Sequence, residues 1–275
     1  VSLGSSGGNA ITLSSDSSLY GVTITGGFHY AIYGHNVHNV SIDHVTIDGG
    51  GTGGDGIVIN QDAAGSANVS ISNTTITGVT DDGVKVDIGN STGETSAFNM
   101  TVSASTIGAG HEGIALRSNT DSNSDTSVYV GVHDSAITAG GSGVAVGGAV
   151  TAGSTLSQDV LVDPTTISGG TYGILVKSTA DGGAITQSVT VDDVDIYDTT
   201  HAGIAIYGSA LHGGSLDQSI SLTNSTLHDT GIYGIALSAA AETLGIVHQT
   251  MDLSNDSFTG TGGLGAYHAR IGGGI

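Results

Sequence analysis

Apolar and polar residues alternate in short bursts along the chain, and the bursts return at a nearly constant interval. One class reads apolar, polar, apolar and begins at Val40, Val69, Met100, Val128, Val160, Val189, Ile220 and Met251. A second places a small polar residue before an apolar one, centred on Ile47, Ile76, Ile107, Ile137, Ile167, Ile196, Leu227 and Phe258. A third, Gly-apolar-x-apolar, begins at Gly56, Gly83, Gly113, Gly143, Gly173, Gly203 and Gly234. All three registers keep a period of roughly 30 residues, a length typical of stacked repeats.

Each period therefore holds three short strands, inward apolar and outward polar, separated by Gly, Asn, Asp and Ser turns. Strands this short cannot bury a face alone, so equivalent strands must stack coil on coil into three parallel sheets around a narrow core. Parallel crossovers are right-handed, and the hexapeptide period usual in left-handed solenoids is absent. The pattern predicts an all-β, right-handed parallel β-helix of about 9–10 coils of roughly 30 residues. One domain spans 1–275, with a partial N-terminal coil in 1–20 and an irregular end over 259–275. Val22 to Ile24 and Ala31 to Tyr33 form one shorter coil. Segments 60–68, 87–99, 117–127, 147–159, 177–188 and 207–219 read as excursions that follow the same strand in every coil and project from one corner. No amphipathic helix covers either end, and open β edges invite self-association or pairing with neighbouring solenoid domains.

Composition narrows the partners. With 47 Gly, one Pro, and neither Cys nor Trp, the chain still carries evenly spaced Val, Ile and Leu that bury a core, which excludes disorder. Asp and Glu number 25 against 4 Lys and Arg, a net charge of −21. Such a surface repels nucleic acid and anionic membranes. No apolar stretch reaches the length of a membrane span. The start at Val1, without an initiator Met or a basic leader, reads as a processed form or an excerpt. An acidic, Lys-poor surface suits a salty or Ca²⁺-rich exterior, so an extracellular or cell-surface location is expected.

Asn-x-Ser/Thr sequons occur at Asn39, Asn68, Asn73, Asn90, Asn99, Asn224 and Asn255, which permits glycosylation of an exported chain. The repeat also generates them: Asn39, Asn68 and Asn99 precede the first strand of a coil, and Asn73, Asn224 and Asn255 share its following turn. Asp121, Asn123 and Asp125 place oxygen ligands at alternate positions, the opening of a Ca²⁺ loop. Thr126 replaces the turn glycine of an EF-hand and no bidentate Glu follows, leaving a plain surface Ca²⁺ site or a solvated loop. No cofactor is otherwise required. The eleven histidines sit mostly singly, as stacked turn residues do.

One constellation carries chemical variety: Gly54-Asp55-Gly56, then Asp81-Asp82-Gly83-Val84-Lys85-Val86-Asp87, then His111-Glu112-Gly113 leading to Arg117. With the glycines in register, Asp55, Asp82 and Glu112 form a column, and Asp81 and His111 stand one step behind. Coils stack about 4.8 Å apart, so adjacent carboxylates fall near 5 Å and the outer pair near 10 Å, separations that bracket retaining and inverting glycosidases. Like charges this close raise at least one pKa, as a general acid beside a general base requires. Lys85, Asp87, Arg117 and, two coils on, Lys177 point outward beside the column as candidate substrate contacts. A cross-coil Asp87–Arg117 salt bridge amid acidic turns is the structural alternative.

These motifs resemble the polygalacturonase family of β-helix glycoside hydrolases, in which successive coils contribute Asp-Gly, Asp-Asp and Gly-His-Gly motifs and then Arg-x-Lys. The resemblance implies acid and base roles for Asp55, Asp81 and Asp82, with His111 in support. It departs from the family at Glu112, between His111 and Gly113, and at Lys177, which lacks the paired Arg. The Gly-rich coils also look like those of mannuronan epimerases, without the Asp-Pro-His-Glu motif. Three function classes follow. The first is a structural solenoid, as an adhesin stalk, surface-layer component or filament subunit. The second is a polysaccharide hydrolase, lyase or epimerase, and the third a carbohydrate-binding module without turnover.

Overall fold

The computed structural model describes residues 2–4, 7–90, 92–262 and 268–272. The described chain is built of parallel strands. One sheet has ten of them, running in chain order from Ile11–Thr12 through Tyr30–His35, Asp55–Gln61, Val84–Asn90 and Ile114–Thr120 to His268–Gly272. The second has 17 strands and holds two ladders. One passes through Val40–Asp43, Gly65–Ser72 and Thr95–Ser103, the other through Thr46–Gly53, Thr75–Val79 and Thr106–Ala109. The ladders merge because Asp125–Ala139 and Thr155–Ser168 run on across the corner between them. The three expected sheets are thus three ladders in two hydrogen-bonded sheets. No helix among the described residues is long and apolar enough to cross a membrane.

Within a strand such as Val84–Asn90, buried and half-buried positions alternate, as a period of two demands. Val40, Val69 and Met100 stack with Val130, Val160, Val189, Ile220 and Met251. Val130 therefore replaces Val128 in the first register. Val128 itself stacks between Phe98 and Gln158. Ile47 to Phe258 and the residues after Gly56 to Gly234 keep the expected registers.

The glycine register has a steric cause. A Cβ on Gly113, Gly143 or Gly173 would lie 2.2–2.3 Å from the Cγ2 of Ile137, Ile167 or Ile196 and 2.5–2.8 Å from the carbonyl oxygen of the next glycine in the column. Only glycine lets the coil close against that isoleucine. The corner between the merged ladders demands left-handed backbone at His44, Asn73, Ala104, Asp134, Asp193, Asn224 and Asn255. Asn and Asp tolerate that conformation best among non-glycine residues, which accounts for Asn73, Asn224 and Asn255.

Two expectations are corrected. The six excursions are mostly strand, and the real connections shrink to a few residues around 62–64, 92–94, 121–124, 151–154, 182–183 and 212–214. The bursts had marked only the most apolar part of each strand. The irregular end over 259–275 contains the strand His268–Gly272 paired with Tyr233–Glu242, while residues 263–267 and 273–275 lie outside the described ones. The partial N-terminal coil expected in 1–20 carries strands in the coil register, with Ser2–Gly4 paired to Thr23–Thr25.

The core contains a polar seam. Gln158, Gln187 and Gln218 are 1–2% exposed. From Gln187 on, each glutamine passes its amide to the glutamine of the previous coil: Gln187 Nε2 donates to Gln158 Oε1 at 2.7 Å, Gln218 Nε2 to Gln187 Oε1 at 2.6 Å, and Gln249 Nε2 to Gln218 Oε1 at 2.6 Å. Gly148 and Gly208 make room, since a Cβ there would sit 2.8 and 2.6 Å from a glutamine Oε1.

Candidate functional site

The acidic column stands where the registers place it, at the entry to the ten-stranded sheet. Asp55 and Asp82 are 5% and 3% exposed, and the Glu112 side chain is 13% exposed. Burial forces each carboxylate to find donors, and each finds the next coil's backbone. Asp82 N–H donates to Asp55 Oδ1 at 2.9 Å, Glu112 N–H to Asp82 Oδ1 at 3.0 Å, and Ser142 N–H to Glu112 Oε2 at 2.5 Å. The bonded oxygens point along the stack, each toward the backbone of the next coil. They form a staircase that caps amides otherwise orphaned at the corner.

His111 is exposed beside the staircase, with Nδ1 3.0 Å from Asp82 Oδ1 and Nε2 3.9 Å from Glu112 Oε1. Asp81 is exposed, and its carbonyl accepts from His111 N–H at 3.1 Å. Burial pushes the Asp55 carboxyl above its ordinary range, opposed by the amide bond from Asp82 and the charge of Lys85, and aided by the Asp82 and Asp81 charges. The expected rise is present there, with burial rather than like-charge stacking as its main cause.

On the outer face of the sheet, Asp87, Arg117, Gly147, Lys177 and Tyr207 share one row. Arg117 reaches Asp87 at 3.8 Å, the cross-coil pair foreseen as the structural alternative. Lys177 is exposed and makes no ion pair among the described residues. A depression of about 150 Å³ lies between Arg117 and Lys177 over Gly147, bordered by Glu112, and another of about 170 Å³ lies beyond Lys177 beside Tyr207. A larger one, about 490 Å³, lies at the corner of Ala104, Asp134, Pro164 and Asp193, away from the column.

A second apolar cluster, separate from the core, covers this face further along. Ala202, Ala205 and Ala236 are buried under partly exposed Tyr172, Leu175, Tyr207 and Tyr233. Tyr172 and Tyr207 meet edge to face at 6.4 Å, and His201 lies edge-on to Tyr172 at 5.3 Å and to Tyr233 at 5.8 Å. Burial, with a hydrogen bond to Tyr172, pushes the Tyr207 hydroxyl up to about 12. The sequence reading passed over these tyrosines. The available signal was Tyr172 and Tyr233 standing immediately before glycines of the third register.

Asp121 and Asn123 share a tight turn, Asn123 with left-handed backbone, while Asp125 opens the next strand and accepts the Thr155 hydroxyl at 2.5 Å. Among the described residues no three His, Asp or Glu gather closely enough to hold a metal. Histidines instead pair with carboxylates, mostly across coils, as in His35–Asp62, His133–Asp163 and His212–Asp181.

Among the sequons, Asn39, Asn68 and Asn99 are exposed and stack amide to amide, at 3.3 Å between Asn68 and Asn39 and 3.0 Å between Asn99 and Asn68. Asn68 and Asn99 lie inside strands rather than before them. Asn73 and Asn224 donate to Asp43 and Asp192, and Asn255 to Asn224. Donation from Asn73 and Ser72 lowers the Asp43 carboxyl to about 2. Asn90 is 4% exposed, and its amide donates inward to Glu94, Asp125 and Thr126. Folding leaves no room for a glycan there.

Residues 55–267 match a family model described as a right handed beta helix region. No curated protein matches the chain.

Proposed function

We propose, from the premise that this chain belongs to the right-handed β-helix family, that it serves as an extracellular or cell-surface structural solenoid, a stalk, surface-layer or filament element, rather than an enzyme. The observation that carries this reading is the staircase from Asp55 to Ser142. Its carboxylates are held by backbone amides and point along the stack instead of flanking a substrate bond. The short connections support it as well, because they raise no cleft wall beside Asp82 and His111.

End-to-end assembly is part of the proposal. On the coil around Ile246–Ser254, Leu244 and Ile246 are 81% and 65% exposed, and Gln249 Oε1 is buried without a donor among the described residues. An added coil in register would supply both apolar cover and an amide. No cofactor enters this role. Ca²⁺ at Asp121, Asn123 and Asp125 would act only as a surface brace.

Incubation of the wild type with uronate-containing and neutral polysaccharides is expected to release no product, and electron microscopy is expected to show rods longer than one chain. A product that disappears in Asp82→Asn would overturn the structural reading in favour of catalysis. The raised Asp55 carboxyl, one coil from the Asp82–His111 pair, is the feature that keeps hydrolysis, lyase or epimerase chemistry as the second reading.

A further inference from the structure

The ladder through Thr46–Gly53, Thr75–Val79 and Thr106–Ala109 turns two residues per coil outward, one on each side of a buried isoleucine. Their register makes two ranks along the stack. The first holds Thr23, Thr46, Thr75, Thr106, Ala136 and Thr166. The second holds Thr25, Asp48 and Thr77 and, past a bulge in the ladder, Gly108, Thr138 and Ser168. Thr46, Thr75, Thr77, Thr106 and Thr138 are exposed. Among the described residues the hydroxyls of Thr23, Thr46, Thr75, Thr106 and Thr166 have no hydrogen-bond partner. The outward column of Asn39, Asn68 and Asn99 on the neighbouring ladder behaves differently, because its amides bond to one another.

Such ranks form a two-dimensional lattice. Neighbours within a rank stand one coil apart, about 4.8 Å, and the ranks stand two residues apart, about 6.6 Å. The oxygen repeats on exposed faces of hexagonal ice are slightly shorter than the first spacing and slightly longer than the second, so array and lattice stay in step over several coils. Branching at Cβ restricts χ1 of threonine, so equivalent side chains repeat one geometry and have little rotamer freedom to lose on contact. Each offers a hydroxyl that can occupy a lattice oxygen position and a methyl that can sit in the gap between such positions. Charge selects a neutral lattice over an ionic mineral: of the chain's 25 acidic residues only Asp48 enters the ranks, and its Oδ1 accepts Gly50 N–H at 2.9 Å in its own turn. Beside the first rank, at Thr106, Ala136 and Thr166, the hollow of about 490 Å³ has room for a row of ordered waters, with Asp134 and Asp193 on its far wall. The array stops on the next coil, where Asp195 and Tyr197 take the two positions and Asp195 pairs with His228 at 3.3 Å.

We propose that the threonine face between Thr23 and Ser168 binds the surface of ice. Each hydroxyl exchanges liquid water for lattice water and gains little, so binding is the sum over the array and depends on its flatness. One bulky side chain at the centre lifts the face off the lattice and removes many contacts together. The site requires neither catalysis nor end-to-end assembly, so its success or failure is independent of the structural role.

The test grows ice slowly from a dilute solution of the protein, compares the protein content of ice and liquid, and measures the gap between melting and freezing points. The wild type should be taken up by the ice and open a gap, while serum albumin is excluded and opens none. Thr75→Tyr places a ring at the centre of the array, on an exposed strand position that tolerates an aromatic. It should close the gap and cut uptake by about tenfold or more, since several methyl contacts of about fourfold each are lost together. Thr75→Ser keeps the hydroxyl, drops one methyl and should cost about fourfold. Ser70→Tyr puts the same ring at an exposed position of the neighbouring ladder and should behave as the wild type does. Exclusion of the wild type from ice would overturn the proposal. Full uptake of Thr75→Tyr, or an equal loss in Ser70→Tyr, would overturn the assignment to this face.

Discussion

Asp82 separates a structural from a catalytic use of the acidic column, because the two predict different responses to two small substitutions. In Asp82→Ala the Glu112 N–H loses its acceptor inside a corner where Asp82 itself is only 3% exposed. An unsatisfied buried donor costs about 1–3 kcal/mol. Release of the exposed His111 ring adds about 0–1 kcal/mol. The variant should lose about 1–4 kcal/mol of local stability, centred near about 2 kcal/mol.

Asp82→Asn keeps a carbonyl oxygen where Oδ1 stood, so the cap survives and the loss should stay under about 1 kcal/mol. Because a solenoid's stability is a sum of nearest-neighbour terms, the effect belongs to the coils of Asp55, Asp82 and Glu112. Hydrogen exchange at the Glu112 amide reads it directly: about 30-fold faster in Asp82→Ala for 2 kcal/mol, and within a few-fold of wild type in Asp82→Asn. Equal acceleration in both variants would show that the charge, not the cap, holds the corner. No acceleration in either would refute the staircase.

Gln187→Ala leaves Gln158 Oε1, Gln218 Nε2 and Ser178 Oγ without their shared partner, a loss of about 3–6 kcal/mol; urea denaturation followed by circular dichroism checks it, and a near-neutral result would mean that water fills the seam. Gly143→Ala drives a methyl group to 2.2 Å from Ile167 Cγ2 and should cost about 1–3 kcal/mol, visible as a lower melting temperature. The His228 pKa is raised by its bond to Asp229 and the nearby charges of Asp195, Asp229 and Asp198, against the opposing effect of burial. Its stabilising contribution is therefore complete below the unfolded value of about 6.5 and lost as pH rises through the folded one. Melting across that window should fall more steeply in the wild type than in His228→Gln, and parallel profiles would remove His228 as the cause.

The sequence disclosed whatever the repeat enforces sterically. Glycines at Gly113, Gly143 and Gly173 are spaced as they are because any Cβ collides with an isoleucine one ladder away, so their interval is the coil length itself. The register by itself places Asp55, Asp82 and Glu112 in a column. What it did not disclose was direction. A carboxylate at a coil entry reads the same in sequence whether it faces a groove or caps the next amide, and only the bond from Glu112 N–H to Asp82 decides. Polar periodicity was also under-read. Gln158, Gln187, Gln218 and Gln249 recur at the repeat interval as faithfully as the isoleucines do, yet a polar residue is ordinarily assigned outward. In a stacked fold that rule fails, because an identical neighbour one coil away satisfies the amide that burial would otherwise leave unpaired.

That failure has a structural cause. A solenoid presents every side chain to its own equivalents above and below, so stacked Gln, Asn and Asp–amide pairs are internally complete and leave little for a ligand. Asn39, Asn68 and Asn99 consume each other's amides, and the acidic staircase consumes backbone donors. Stacking is interrupted only where a residue is unlike its neighbours in the row. Lys177 between Gly147 and Tyr207 is such an interruption: glycine offers it no side chain and tyrosine no charge. The same reasoning demotes the residues that looked most like chemistry in the sequence, since Asp55, Asp82 and Glu112 are the ones the stack already satisfies.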